Sequence, residues 1–289
     1  MSNAEISDPL FREAVEAIDA GNIYRLEKLL SQNPRLVRDR LVSTWDGYFK
    51  DPYLIWYIAD NPVRNGKLPG NIVDIARLLI QSVKREAPES AEQQLDYTLG
   101  LVATGRVPRE SGVQLELIDM LIDAGVIPGT GIGALAHGNK DAANRILERG
   151  GTVTLAAAIC LERTHDIAWL SQRSGIEDKN LALVAAAFYG QANMVASLLG
   201  WGAQVNAYPD GAGGFHSHAT ALHQAVYSGS LDAVKILVEA GADLQLKDHI
   251  YHGTPLEWIE YLQREDGYDD AARERFKIIE AYLRERANK

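Results

Sequence analysis

Five of the chain's seven histidines fall in two short stretches, GGFHSHATALHQAV at 213–226 and KDHIYHGTPLEW at 247–258. Imidazole serves as a metal ligand, as a general acid or base, and as a neutral hydrogen-bonding group near pH 7. His216, His218, Asp248, His249 and His252 supply enough nitrogen and oxygen for a metal in principle. Zinc needs three or four such donors converging at about 2.0–2.2 Å. No His-Glu-x-x-His or comparable spacing occurs, and the His-x-His pair at 216–218 shares a face only if extended, so no metal site is assigned. For acid–base work His218, Asp248, Tyr251 and His252 could act together, with Asp210 nearby in sequence. The supporting motifs of an enzyme are missing. GTGIG at 129–133 is too short for a phosphate loop and follows no predicted strand, and there is no nucleophile elbow. Cys160 ends the alanine-rich TLAAAIC, where a buried small hydrophobe is the expected role. No cofactor is expected.

The chain has 289 residues, 46% hydrophobic and 24% charged, an ordinary globular composition. A net charge of −10 argues against nucleic acid or an anionic membrane surface as partner, since both reward clustered Lys and Arg. A single cysteine excludes an internal disulfide framework. No secretory signal and no run near the roughly 18 apolar residues of a membrane span occur, so a cytoplasmic location is expected.

The elements that carry the histidines are set by a repeat. TALHQAVYSGSLDAVKILVEAGAD at 220–243 aligns without a gap on LALVAAAFYGQANMVASLLGWGAQ at 181–204, with Gly229 on Gly190, Val234 on Val195, Leu237 on Leu198 and Gly241 on Gly202. The same frame returns in HGNKDAANRILERG at 137–150 and AGNIYRLEKLLSQN at 20–33. Self-similarity at a fixed period implies a stacked array of supersecondary units. In one unit, Thr220 can cap a short first helix whose Ala221 and Ala225 allow close approach, and Ser228-Gly229 break it. A second helix over 231–239 carries Val234, Leu237 and Val238 on one face and stops at Gly241. Two such helices cannot bury their apolar faces alone, so each unit needs neighbours.

The motifs T-A-L-H at 220–223, H-G-T-P-L at 252–256 and E-A-G-A-D-L at 239–244 resemble ankyrin repeats. The expected fold is therefore an all-α solenoid of ankyrin type. Up to eight helix pairs are expected, at 10–33, 52–83, 94–125, 131–150, 152–172, 181–203, 220–243 and 254–287. Residues 1–289 are read as one array, with divergent repeats over 10–125, regular ones over 131–243 and a charged C-terminal cap over 254–289. The arrangement also resembles bacterial ankyrin proteins with a divergent N-terminal half. The resemblance implies a structural job for His223 within and between turns. It further implies a non-catalytic module that binds a protein or peptide through its concave face and inter-repeat loops.

Insertions at 35–51, 59–70, 103–112 and 206–219 depart from the pattern. Arg64, Arg106 and Arg109, with Lys67, fall on two adjacent loops and could form a basic spot for a carboxylate, phosphate or acidic segment, or could hold those loops internally. Trp45, Tyr48 and Phe49 either cover the neighbouring repeat or form a partner patch, whereas Tyr53, Trp56 and Tyr57 are expected in the core of a helix started by Asp51-Pro52. The binding set read from sequence is thus His216, His218, Asp248, Tyr251 and His252 at one edge, Arg64, Arg106 and Arg109 at a second, and Trp45 with Tyr48 beside them. The alternative is an enzyme, or a small-molecule or metal binder, whose pocket is roofed by the insertions and the 216–252 histidines. Self-association is a third reading.

Overall fold

The computed structural model describes residues 5–43, 45–209 and 214–287, all of whose regular elements are helical. No described helix is long and apolar enough to cross a membrane. The chain divides into two compact units, one of Met1–Ala134 with Asp141–Gly151, the other of Leu135–Lys140 with Thr152–Lys289.

The first unit contains α1 (Pro9–Asp19), α2 (Ile23–Gln32), α3 (Arg35–Arg38), a 3-10 helix (Leu54–Ala59), α4 (Ile72–Glu86), α5 (Ala91–Thr104), α6 (Arg106–Glu110) and α7 (Gln114–Asp123). The short helices α8 (Ile132–Ala136) and α9 (Lys140–Glu148) each have residues in both units. Local chemistry starts these elements where the sequence says. Asp8 Oδ1 accepts from the N–H groups of Leu10 and Phe11 ahead of Pro9 at the first turn of α1. The turn into α2 needs Gly21 at φ +68°, and a Cβ there would meet Asn71 Oδ1 at 2.6 Å. Asn71 Nδ2 in turn donates to Gly21 O, which fastens this turn to the start of α4.

One element differs from the sequence reading, and one reading left open there takes its internal form. Asp51-Pro52 starts no helix: the Asp51 carboxylate accepts from Ser43 N at 2.8 Å and is not free to cap. A six-residue 3-10 segment begins only after Tyr53 and ends at Asp60, which adopts the left-handed conformation. All six of its residues are buried, as are Tyr53, Trp56 and Tyr57, which form the expected aromatic core. The open reading is that of Arg64. Its side chain is 3% exposed and makes a two-pronged pair with Asp19, at 3.0 Å in both contacts, while donating to Tyr57 O. Its guanidinium also lies over the Tyr57 ring at 4.7 Å. Arg64 is therefore a core residue and not a loop anchor, because a buried guanidinium is tolerable only when its donors are matched. The 59–70 loop is organised by buried Asp60, whose carboxylate accepts from the N–H groups of Arg64, Asn65 and Gly66.

The second unit contains α10 (Leu155–Cys160), α11 (Thr164–Leu170), α12 (Ile176–Phe188), α13 (Ala192–Gly200), α14 (Ala221–Tyr227), α15 (Leu231–Glu239), α16 (Pro255–Leu262) and α17 (Asp270–Ala287). The first helices of successive pairs pack in a row, α10 on α12, α12 on α14 and α14 on α16, and α13 packs on α15 behind them. Buried alanines on the row, among them Ala157, Ala185, Ala186 and Ala225, let the backbones approach. Cys160 lies in this row, and burial pushes its thiol up to about 12, which leaves it inert near neutral pH.

Replacing Arg64 by alanine removes the guanidinium paired with Asp19 and the cation beside buried Asp60, and is expected to cost about 3 kcal/mol or more. The exposed Arg106–Glu110 pair is a contrast, and Arg106→Ala is expected to stay within about 0.5 kcal/mol. Urea midpoints of the two variants against the parent check this, and equal small losses would contradict the core role.

Candidate functional site

The segment joining α15 to α16 folds back on itself into a finger at residues 248–253, closed by Asp248 N donating to Gly253 O at 2.9 Å. Asp248 is wholly buried at its base. Its Oδ1 accepts from the N–H groups of Ile250 (2.9 Å) and Tyr251, and its Oδ2 from Gly253 N (2.9 Å) and Trp258 Nε1 (3.0 Å). Burial by itself raises the pKa of such a group, but the Trp258 indole and the N–H groups of Tyr251, Gly253 and Ile250 outweigh it and hold Asp248 down at about 2. The carboxylate is thus ionised, and its lone pairs are spent on the finger.

His223, in the first turn of α14, ties that helix to the same finger. Thr220 N donates to His223 Nδ1, which places the ring proton on Nε2, and Nε2 donates to Gly253 O at 3.1 Å. This is the bonding within and between turns that the resemblance implies. Burial pushes the His223 pKa down to about 4, so the ring is neutral near pH 7. Thr254 and Glu257 close a second capping box at α16.

The remaining histidines surround the finger without converging on one point. His218 packs its ring 5.7 Å from Tyr251 and 5.9 Å from Trp258, with Nε2 3.9 Å from Asp248 Oδ1, beyond hydrogen-bond length. His216 keeps part of its surface in solvent, but its ring packs among others, 5.6 Å from that of His218 and 5.1 Å from that of Tyr227. Burial, then the neighbouring imidazole of His218, lowers the pKa of His216; burial also lowers that of His218. His249 stacks on Tyr208 at 3.9 Å, and His252 is exposed in a left-handed conformation. Among the described residues no group of three or more His, Cys, Asp or Glu side chains is placed to hold a metal ion. Asp210, considered with these histidines, lies outside the described residues.

Beside the finger opens a cleft of about 420 Å³, lined by His216, Tyr227, Tyr251, Glu257, Trp258 and Tyr261 with Gly253 and Leu262. Ile250 and Tyr251 at the finger tip are 60% and 75% exposed, and Tyr261 is 62% exposed. In the first unit, Phe49 is buried against Trp56 and Tyr57 and acts as a cover, while Trp45 is half-buried. Tyr48 is exposed and donates to Asn61 Oδ1, and its carbonyl accepts from the Tyr97 hydroxyl. Asn61 reaches Leu101 O and Thr104 Oγ1, so the 59–70 loop does touch the end of α5. The three-arginine spot nonetheless does not form there: Arg64 is buried, Arg106 pairs with Glu110 on the short α6, and Arg109 is exposed on α6.

Residues 114–248 match the family model for ankyrin repeats, in three copies. That segment carries ankyrin repeats. No curated protein matches it. A solved structure similar to it is that of the human ASB11 ankyrin repeat domain, 16% identical, with 94% of this chain and 97% of that chain covered at a TM-score of 0.32.

The ankyrin edge contains residues that the histidine pattern did not single out, namely Tyr227, Ile250, Trp258 and Tyr261. Trp258 and Tyr261 stand three residues apart on the helix that follows a Thr-Pro capping box, a spacing that puts both on one face and is readable in TPLEWIEY.

Two outcomes follow for this edge. Unfolded His223 takes up a proton near its ordinary 6.5, whereas native His223 stays neutral down to about 4. Between those values the unfolded state binds more protons, so the contribution is fully present above 6.5 and is lost as pH falls towards 4, amounting to roughly 3 kcal/mol. His216 and His218 act in the same direction. Melting temperatures from pH 7.5 to 4.5 should fall, less steeply in His223→Gln; an unchanged slope in that variant would contradict the assignment. Asp248→Asn should speed amide exchange at Ile250, Tyr251 and Gly253 by about tenfold or more, since an amide NH₂ cannot accept from N–H. Unaltered exchange there would show the carboxylate to be dispensable.

Proposed function

We propose that this chain is a non-catalytic recognition protein that binds a protein or peptide partner through the 248–253 finger and the neighbouring face of α16. Ankyrin repeats are in general protein-interaction modules, and three copies are matched here. The observation that carries the choice of surface is the finger tip. Ile250 and Tyr251 stay largely exposed while the backbone beneath them is fixed by three N–H bonds to one buried carboxylate, which the Trp258 indole also holds. An apolar tip held rigid loses little entropy on binding and is the kind of residue that dominates an interface. A standard interface buries about 800 Å² per partner, so the cleft is an anchor pocket inside a larger footprint. His216, Tyr251 and His252 belong to this surface. Asp248 and His218 support it from beneath.

The volume of the cleft falls in the range of small-molecule sites, about 300–1,000 Å³, but such sites present several converging polar groups. Here the Asp248 carboxylate and one oxygen of Glu257 are committed to backbone and side-chain donors, which favours a macromolecular partner over a ligand or substrate. Trp45, Tyr48, Arg106 and Arg109 take no part in this reading.

The double substitution Ile250→Ser with Tyr251→Ser should leave the melting temperature within about 2 °C, as expected of exposed positions, and weaken partner binding by about tenfold or more. Titration of the partner co-purified from the protein's own cells against parent and variant checks this. Equal affinities would place recognition elsewhere.

A further inference from the structure

We propose that the cleft beside the finger takes a cationic side chain, an arginine or lysine, presented by a basic segment of the partner. The inference rests on the recognition reading above and names the chemistry of its anchor. Four aromatic rings, those of Tyr227, Tyr251, Trp258 and Tyr261, line the cleft, and a ring face attracts a cation through its quadrupole. The charged groups that line or directly back these rings, Glu257 and Asp248, are both carboxylates. Trp258 donates its indole N–H to the Asp248 carboxylate at 3.0 Å, which sets a fixed anion at the ring edge and enriches its π face in electron density. All four hydrogen bonds to that carboxylate come from neutral N–H groups, and His218 at 3.9 Å is a neutral neighbour near pH 7. Glu257 lines the cleft, and the negative charge of Glu265 beside Tyr261 raises the pKa of that hydroxyl.

An apolar anchor would desolvate the Glu257 charge with nothing in return, and an anionic one would be repelled. A guanidinium or ammonium group uses both the rings and the carboxylates. The surrounding segment favours the same sign, since residues 214–287 hold thirteen Asp and Glu against eight Lys and Arg. Lys247, the cation that acts on Glu257, precedes the finger, and His216 at the cleft is neutral near pH 7 and offers no opposition. The partner segment is therefore basic, with one long cationic side chain inserted between the finger and α16.

A phage-displayed library of random twelve-residue peptides, selected on the immobilised full chain, tests this. Peptides enriched by the parent and lost on the Ile250→Ser/Tyr251→Ser variant are expected to share an arginine or lysine at one position. Replacing that residue by norleucine, which keeps the chain and removes the charge, should weaken binding to the parent by about tenfold, and by less than about twofold in Tyr261→Leu or Glu265→Gln. Enriched peptides that depend on the finger but anchor through a leucine or an aromatic residue would overturn the cationic anchor and leave the recognition reading standing. A selection that yields no finger-dependent peptide would overturn both.

Discussion

One buried carboxylate sets the geometry of the second unit's edge. Asp248 sits at 0% exposure with four N–H donors, and three of them come from the backbone of its own finger. An ionised carboxylate in such a place is tolerated because its lone pairs are matched, and it returns the cost by fixing the peptide N–H groups of Ile250, Tyr251 and Gly253. The fourth donor, Trp258, is carried by α16, so the same oxygen that shapes the loop also fixes the ring that walls the cleft. His223 adds a second tie from α14 to Gly253 O. Finger, cleft and helix row are therefore one mechanical piece, and the exposed Ile250 and Tyr251 ride on it.

The first unit solves a similar problem with a different charge balance. Its 59–70 insertion is also built on a buried aspartate, Asp60, whose carboxylate accepts from the N–H groups of Arg64, Asn65 and Gly66. There a guanidinium follows: Arg64 turns inward to Asp19 and lies over Tyr57, so the buried charges are paired. The 248–253 finger has no arginine in the equivalent role, and its aspartate is satisfied by neutral donors alone. Two loops with the same backbone device thus differ in residual charge, and the recognition edge proposed above sits on the one that keeps its negative charge.

How much of this was legible follows from what sequence patterns encode. All eight helix pairs stand close to the positions their spacing predicts, because the apolar period and the turn glycines act locally. The structural role of His223 is also readable, as the resemblance to ankyrin repeats implies bonding within and between turns, while its partners Thr220 N and Gly253 O emerge only in the fold. The 3-10 segment at Leu54–Ala59 was read as a helix from Asp51-Pro52, because proline after aspartate is a common helix start; the Ser43 N–H that occupies Asp51 lies eight residues away in sequence. For Arg64 the sequence leaves a binding cation and an internal tie both open, because its partner Asp19 is 45 residues distant. Asp248 was placed at the binding edge for its chemistry, and it serves that edge from beneath, which no local pattern distinguishes from direct contact. Trp258 and Tyr261 carried a helical spacing that pointed to one shared face, but the histidines drew the reading away from them.

The central claim is that the finger and α16 are where the partner sits. Amide hydrogen exchange of the full chain, alone and in complex with the partner purified from its own cells, tests it most directly. The account predicts added protection over 249–253 and along α16, the segments of the second unit that carry the exposed tip and the cleft wall. Protection confined to the first unit, with exchange at 249–262 unchanged by the partner, would contradict it.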